Sequence, residues 1–95
     1  MSLEFMGAVS SERRETNVLR LKAYLDSHTT ENYRSDEALQ SVRLYNWRTF
    51  ISYLVQLKKE YWNNLTKNGK QNYEIAWRES HLLMKAQEKA KRHHR

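Results

Sequence analysis

The chain has no cysteine and no proline, and its 95 residues include only two glycines, Gly7 and Gly69. Each absence excludes something. Without cysteine there is no disulfide framework, no thiolate metal site and no cysteine nucleophile. Ordinary usage would place roughly five prolines in a chain of this length. Hairpins and sandwiches draw on proline and glycine at their turns, so this scarcity argues against an all-β fold. No apolar run approaches the ~18 residues that a membrane-spanning helix needs. Two isolated glycines cannot build a phosphate-cradling loop. The opening Met1-Ser2-Leu3-Glu4-Phe5-Met6 lacks the basic and long apolar regions of a secretory signal. Residues 1–9 carry no periodicity and are expected to be disordered, with residues 1–5 read as a cloning remnant ahead of Met6.

What the chain does have is basic charge and helical spacing. Lysine and arginine number 17 against 11 acidic residues, a net charge of +6 and a pI near 9.7. Such a balance favours an acidic partner: nucleic acid, an acidic protein or an anionic membrane surface. The length allows one domain with a small core.

Ser10 and Ser11 can cap a first helix over roughly residues 11–27, with Glu12 and Glu15 near the positive end of its dipole. Val18, Leu21 and Leu25 follow at i, i+3 and i+7 along one face. Residues 28–35 are polar and read as a connection. Ser35 is the next cap, and helical spacing then runs from Asp36 to Thr66, with Leu44-Tyr45-Asn46 as a place where it can break. Trp47, Phe50, Leu54, Leu57 and Tyr61 form a near-heptad seam. Ile51, Val55 and Trp62 lie along its flank, making a face wide enough for two other helices. Thr66-Lys67-Asn68-Gly69 marks a helix–helix corner, in which Gly69 ends one helix or Thr66 caps the next. Tyr73, Ala76, Trp77, Ser80, Leu83 and Met84 continue at helical spacing. The expected fold is therefore all-α: a small bundle of three or four helices with one long central helix, occupying residues 10–84. Residues 85–95 form a basic tail with five basic residues and one acid, +4 of the chain's net +6.

The stretch from Trp62 to Tyr73 adds a family likeness. Trp62, Leu65, Thr66, Lys70 and Tyr73 stand at the spacings found where the second and third helices of an HMG box meet, and the chain resembles that family there, mainly over residues 62–76. The resemblance implies a DNA-binding helical domain in which Trp62, Lys70 and Tyr73 build the core of the angle rather than touch DNA. The family's opening proline segment and the clustered phenylalanines of its first helix have no counterpart here. Ala76 also falls three residues after Tyr73 rather than four. The family's DNA-bending residues come largely from the region without a match, so none is carried over.

Catalytic and metal chemistry find no support in the residues. His28, His81, His93 and His94 lack metal-ligand spacing, and His93-His94 reads as part of a solvated tail. Ser80 and His81 are adjacent, so on a helix they point about 100° apart, and no third group orients them. No enzyme activity, metal or cofactor is expected. Most aromatics fall on the helical seams and read as core.

Two functions compete. The first is a nucleic-acid-binding domain, with DNA favoured over RNA, in an intracellular and potentially nuclear setting. Its backbone-binding residues would be Arg43, Arg48, Lys58, Lys59, Lys67, Lys70, Lys85, Lys89, Lys91, Arg92 and Arg95, giving affinity with little sequence choice. The alternative is an interaction module whose Trp47–Tyr61 seam takes a partner helix or a second copy. A tail that binds anionic membranes is weaker, because bulky apolar residues are missing there.

Overall fold

The computed structural model describes residues 11–37 and 46–93. Residues 1–9, Arg43, Tyr45 and Arg95 lie outside that range. The described residues are mostly helical: α1 (Ser11–Ser27), α2 (Thr30–Ser35), α3 (Trp47–Tyr61), a 3-10 turn (Trp62–Asn64) and α4 (Lys67–His93), with no strand among them. The fold is a small all-α bundle, with α1, α3 and α4 in mutual contact.

The core comes from the expected stripes. Val18, Leu21 and Leu25 of α1 are fully buried against Phe50, Leu54 and Leu57 of α3 and Tyr73 and Ala76 of α4. The 47–61 seam is thus covered within the chain. Its flanking stripe is not: Ile51 is half-buried and Val55 is 40% exposed. Tyr53 takes the buried place instead, its ring inside the core and its hydroxyl accepting from Asn17 Nδ2 at 3.3 Å. Trp47, Tyr61, Trp62 and Trp77 are half-buried.

Two expectations about element bounds change. Residues 28–35 are not merely a connection, because Thr29 caps a short helix by accepting from the Asn32 N–H at 3.0 Å. That turn buries Tyr33, whose ring meets Tyr24 edge-on at 6.4 Å. The helical run expected from residue 36 to 66 does not include Asp36, and it is broken at Asn46, within the Leu44-Tyr45-Asn46 stretch named as a place where it can break. Asp36 is extended (φ −78°, ψ 97°), and α3 opens at Trp47 after the non-helical Asn46 (φ −126°, ψ 46°). Among the described residues the longest helix is the last rather than a central one, and it carries the basic stretch through His93 as one continuous element.

The corner between α3 and α4 falls at residues 62–66, slightly before the expected 66–69. Leu65 is buried there with extended backbone, and its N–H donates to the Trp62 carbonyl at 3.2 Å. Thr66 is the cap, its Oγ1 accepting from the Gly69 N–H at 2.8 Å. Gly69 therefore sits in the first turn of α4 rather than ending α3. The reason for glycine is close approach: a Cβ there would collide with Asp26 Oδ1. That oxygen accepts from the N–H and the hydroxyl of Thr66 at 2.9 and 3.0 Å. In return α4 caps α1. Asn72 Nδ2 donates to the carbonyls of Leu25 and His28 at 2.8 and 2.6 Å, and Asn68 also donates to His28.

This reciprocal capping sets the sign of one substitution. In an ordinary helix Gly→Ala stabilises by about 0.5–1 kcal/mol. Gly69→Ala should instead destabilise by about 1–2 kcal/mol, because displacing Asp26 removes a helix cap. Urea unfolding of the two proteins decides it, and a gain in stability would refute the account.

Candidate nucleic-acid interface

Partial burial works to raise the Asp26 carboxyl pKa, but the hydrogen bonds from Lys22 and Thr66 and the Lys22 charge more than offset it, and the group lies below its usual range. Lys22 Nζ stands 2.9 Å away. A carboxylate held low contributes its stability in full above the unfolded-state pKa, near 4. The contribution is lost as pH falls through the lower folded-state value. Asp26→Asn should therefore flatten the acid limb of the stability profile below about pH 4 and lower the plateau above it. An unchanged acid limb would speak against it.

Glu15 and Asp36 are engaged by neutral donors. Glu15 accepts from Tyr61 Oη and, at 3.0 Å, from Gln56 Nε2. The Glu15 bond, with burial, pushes the Tyr61 hydroxyl up to about 12. Asp36 accepts from Tyr24 Oη, and burial followed by that bond raises the Tyr24 pKa. Lysines on the surface are left without these acids as partners. Lys58, Lys59, Lys67, Lys85, Lys89 and Lys91 are exposed and Lys70 is half-buried. Among the described residues none of the seven forms an ion pair.

The 3-10 turn brings two of them, Lys58 and Lys70, to one ring. It brings the end of α3, with Lys58 and Lys59, beside the start of α4, with Lys67 and Lys70. Trp62 lies between, with Lys58 Nζ 5.3 Å and Lys70 Nζ 5.5 Å from its ring centroid. An aromatic face attracts both ammonium groups and partly offsets their mutual repulsion. Tyr73 holds the same ring edge-on, centroids 5.3 Å apart. Trp62 is thus a half-exposed platform for two cations as well as part of the corner, a role that the sequence reading did not assign to it.

The remaining predicted residues do not join this cluster. Lys85, Lys89 and Lys91 lie on the far half of α4, with Lys85 about 27 Å along the axis from Lys67. Arg48 sits over the Trp47 ring at 5.1 Å, about 15 Å along α3 from Lys58. The helix backbone reaches residue 92, while Arg43 and Arg95 lie outside the described residues. The basic surface is therefore divided between a corner patch and a tail patch.

Among the described residues no group of histidines and carboxylates is placed to hold a metal, and no helix is long and apolar enough to cross a membrane. Ser80 and His81 are not a pair. Ser80 is buried with its hydroxyl unpartnered, whereas the His81 ring contacts Trp77 edge-on at 4.4 Å. Removing an unpartnered buried hydroxyl relieves a desolvation cost and improves helix propensity. Ser80→Ala should hold or raise stability by about 0.5–1.5 kcal/mol. Thermal unfolding measures it, and a loss of similar size would reveal a partner for the hydroxyl.

Comparison of the chain with protein-family models, with curated proteins and with solved structures returns no match.

Proposed function

We propose that the protein is a non-catalytic nucleic-acid-binding helical domain that grips the phosphate backbone, with DNA as the preferred partner and little sequence choice. The observation that carries this reading is the corner patch: Lys58 and Lys70 over the Trp62 ring, with Lys59 and Lys67 exposed on the same two helix ends, none with a carboxylate partner among the described residues, while Glu15, Asp26 and Asp36 are engaged elsewhere. Phosphate oxygens would supply the missing counter-charge, and ammonium groups on flexible stems fit phosphates without reading bases. The HMG-box resemblance implies a core role for Trp62, Lys70 and Tyr73; here Tyr73 is buried and meets Trp62 edge-on, while Trp62 and Lys70 are only half-buried. The covered 47–61 seam weighs against its use as a docking face.

The test is a titration of the intact chain with duplex and single-stranded DNA and with RNA across salt concentrations. Four phosphate contacts at the corner predict that log affinity falls with log salt at a slope of at least about −3.6 on duplex DNA. Randomising the duplex sequence should leave affinity within a few-fold. No binding at low salt would refute the reading.

A further inference from the structure

The outward stripe of α4 plays no part in the corner patch, and of its residues Trp77 alone is packed against the core, where it is half-buried. Glu74, Trp77, Arg78, His81, Leu82 and Lys85 line a shallow cleft of about 360 Å³ along it. Leu82 is 63% exposed, more than Leu19 or Val55. Trp77 is held in place from both sides, near-parallel to Tyr73 at 6.5 Å and edge-on to His81 at 4.4 Å. A fixed aromatic beside an exposed leucine is a ready anchor for an interface, since little side-chain freedom remains to be lost there.

The charges on this stripe say what fits it. Any row of residues spaced three and four apart on a helix reads the same in both directions. This row has an acid at one end, Glu74, and a base at the other, Lys85, and neither forms an ion pair among the described residues. We propose that α4 pairs with α4 of a second copy of this chain, antiparallel, about a two-fold axis between residues 79 and 80. Glu74 then faces Lys85 of the second copy, Trp77 faces its Leu82, and Arg78 faces its His81. The two-fold repeats each contact. A parallel pair would set Glu74 against Glu74 and Lys85 against Lys85, which like-charge repulsion disfavours. Opposed helix dipoles favour the same orientation.

The same register limits the contact. Lys70 falls opposite Lys89 of the second copy, so repulsion closes the interface after about three turns, or ~17 Å of helix. Such a patch is smaller than a standard interface, and the dimer belongs with weak, concentration-dependent associations. It also sets the corner patch of one copy beside the tail patch of the other. The pairing does not depend on the nucleic-acid reading.

Sedimentation equilibrium of the full chain over a concentration series, without nucleic acid, tests the pairing. The wild type should pass from monomer to dimer. Glu74→Lys and Lys85→Glu should each raise the dimer dissociation constant at least tenfold while circular dichroism stays unchanged, because both positions are exposed. An equimolar mixture of the two variants should recover dimerisation, since antiparallel pairing sets each reversed charge against its opposite. A wild type that stays monomeric throughout, a dimer indifferent to either reversal, or a mixture that fails to recover would each overturn the proposal. Retained DNA binding by the monomeric Glu74→Lys protein leaves the functional reading standing, and absence of DNA binding in the wild type leaves the dimer standing.

Discussion

Replacing Tyr73 by alanine should remove most of the domain's stability and bring it to the edge of unfolding. The side chain is 2% exposed and stands where all three main helices meet. Its ring lies edge-on to Trp62 and near-parallel to Trp77, and its hydroxyl donates to the Leu54 carbonyl of α3 at 2.7 Å. Burial, with a smaller contribution from the charge of Glu74, pushes that hydroxyl's pKa up to about 12. Truncating a buried aromatic removes its transfer free energy and leaves a cavity, together about 3–5 kcal/mol. A small domain has about 5–15 kcal/mol in total and sits toward the lower end of that range. Tyr73→Phe keeps the ring and loses one hydrogen bond, so it should cost only about 0.5–1.5 kcal/mol. Trp62→Ala should cost less than Tyr73→Ala, because half-buried Trp62 leaves a smaller void. Urea unfolding followed by circular dichroism ranks the three. A Tyr73→Ala protein with near wild-type stability would mean that the corner does not organise the core.

How much of this was legible in the sequence depends on the range of the cause. Val18, Leu21 and Leu25 were visible as core because helical spacing is local, and so were Phe50, Leu54 and Leu57. Tyr53 has the same spacing, three after Phe50 and four before Leu57, but is not included in the seam read from the sequence. In the structure its hydroxyl meets Asn17, so the ring can be buried without loss. Tyr33 lies in a six-residue helix, too short to show a period, although Thr29 three residues before Asn32 was a readable cap. Gly69 looked like a helix terminator because glycine often is one. Its actual constraint is Asp26, brought close only by the fold. The lysines were legible as charges. Their division into two patches was not, since it depends on the 3-10 turn that brings Lys58 and Lys70 to one indole.

That division leads to the largest expected effect on binding. Changing Lys58, Lys59, Lys67 and Lys70 together to glutamine should weaken duplex DNA binding by about 10³-fold at 0.1 M salt, and reduce the salt slope by about 3–4, if each lysine neutralises one phosphate. Deleting residues 85–95 should also weaken binding on every sequence alike and flatten the slope, because Lys85, Lys89 and Lys91 are exposed and offer charge without fixed base contacts. The fold should survive both changes. Among the described residues the last buried side chain is Ser80, and none of the four corner lysines is fully buried. The patches lie at least about 22 Å apart along α4, from Lys70 to Lys85, well beyond the ~10 Å over which salt leaves charges coupled. On a long duplex their effects on log affinity should therefore add. On a duplex of about six base pairs, too short to reach both, removing the tail should matter little while the corner is intact. A quadruple variant that binds long duplex like the wild type would assign the corner lysines to solvation alone. Equal losses from tail deletion on long and short duplexes would mean that the two patches do not act as separate contacts.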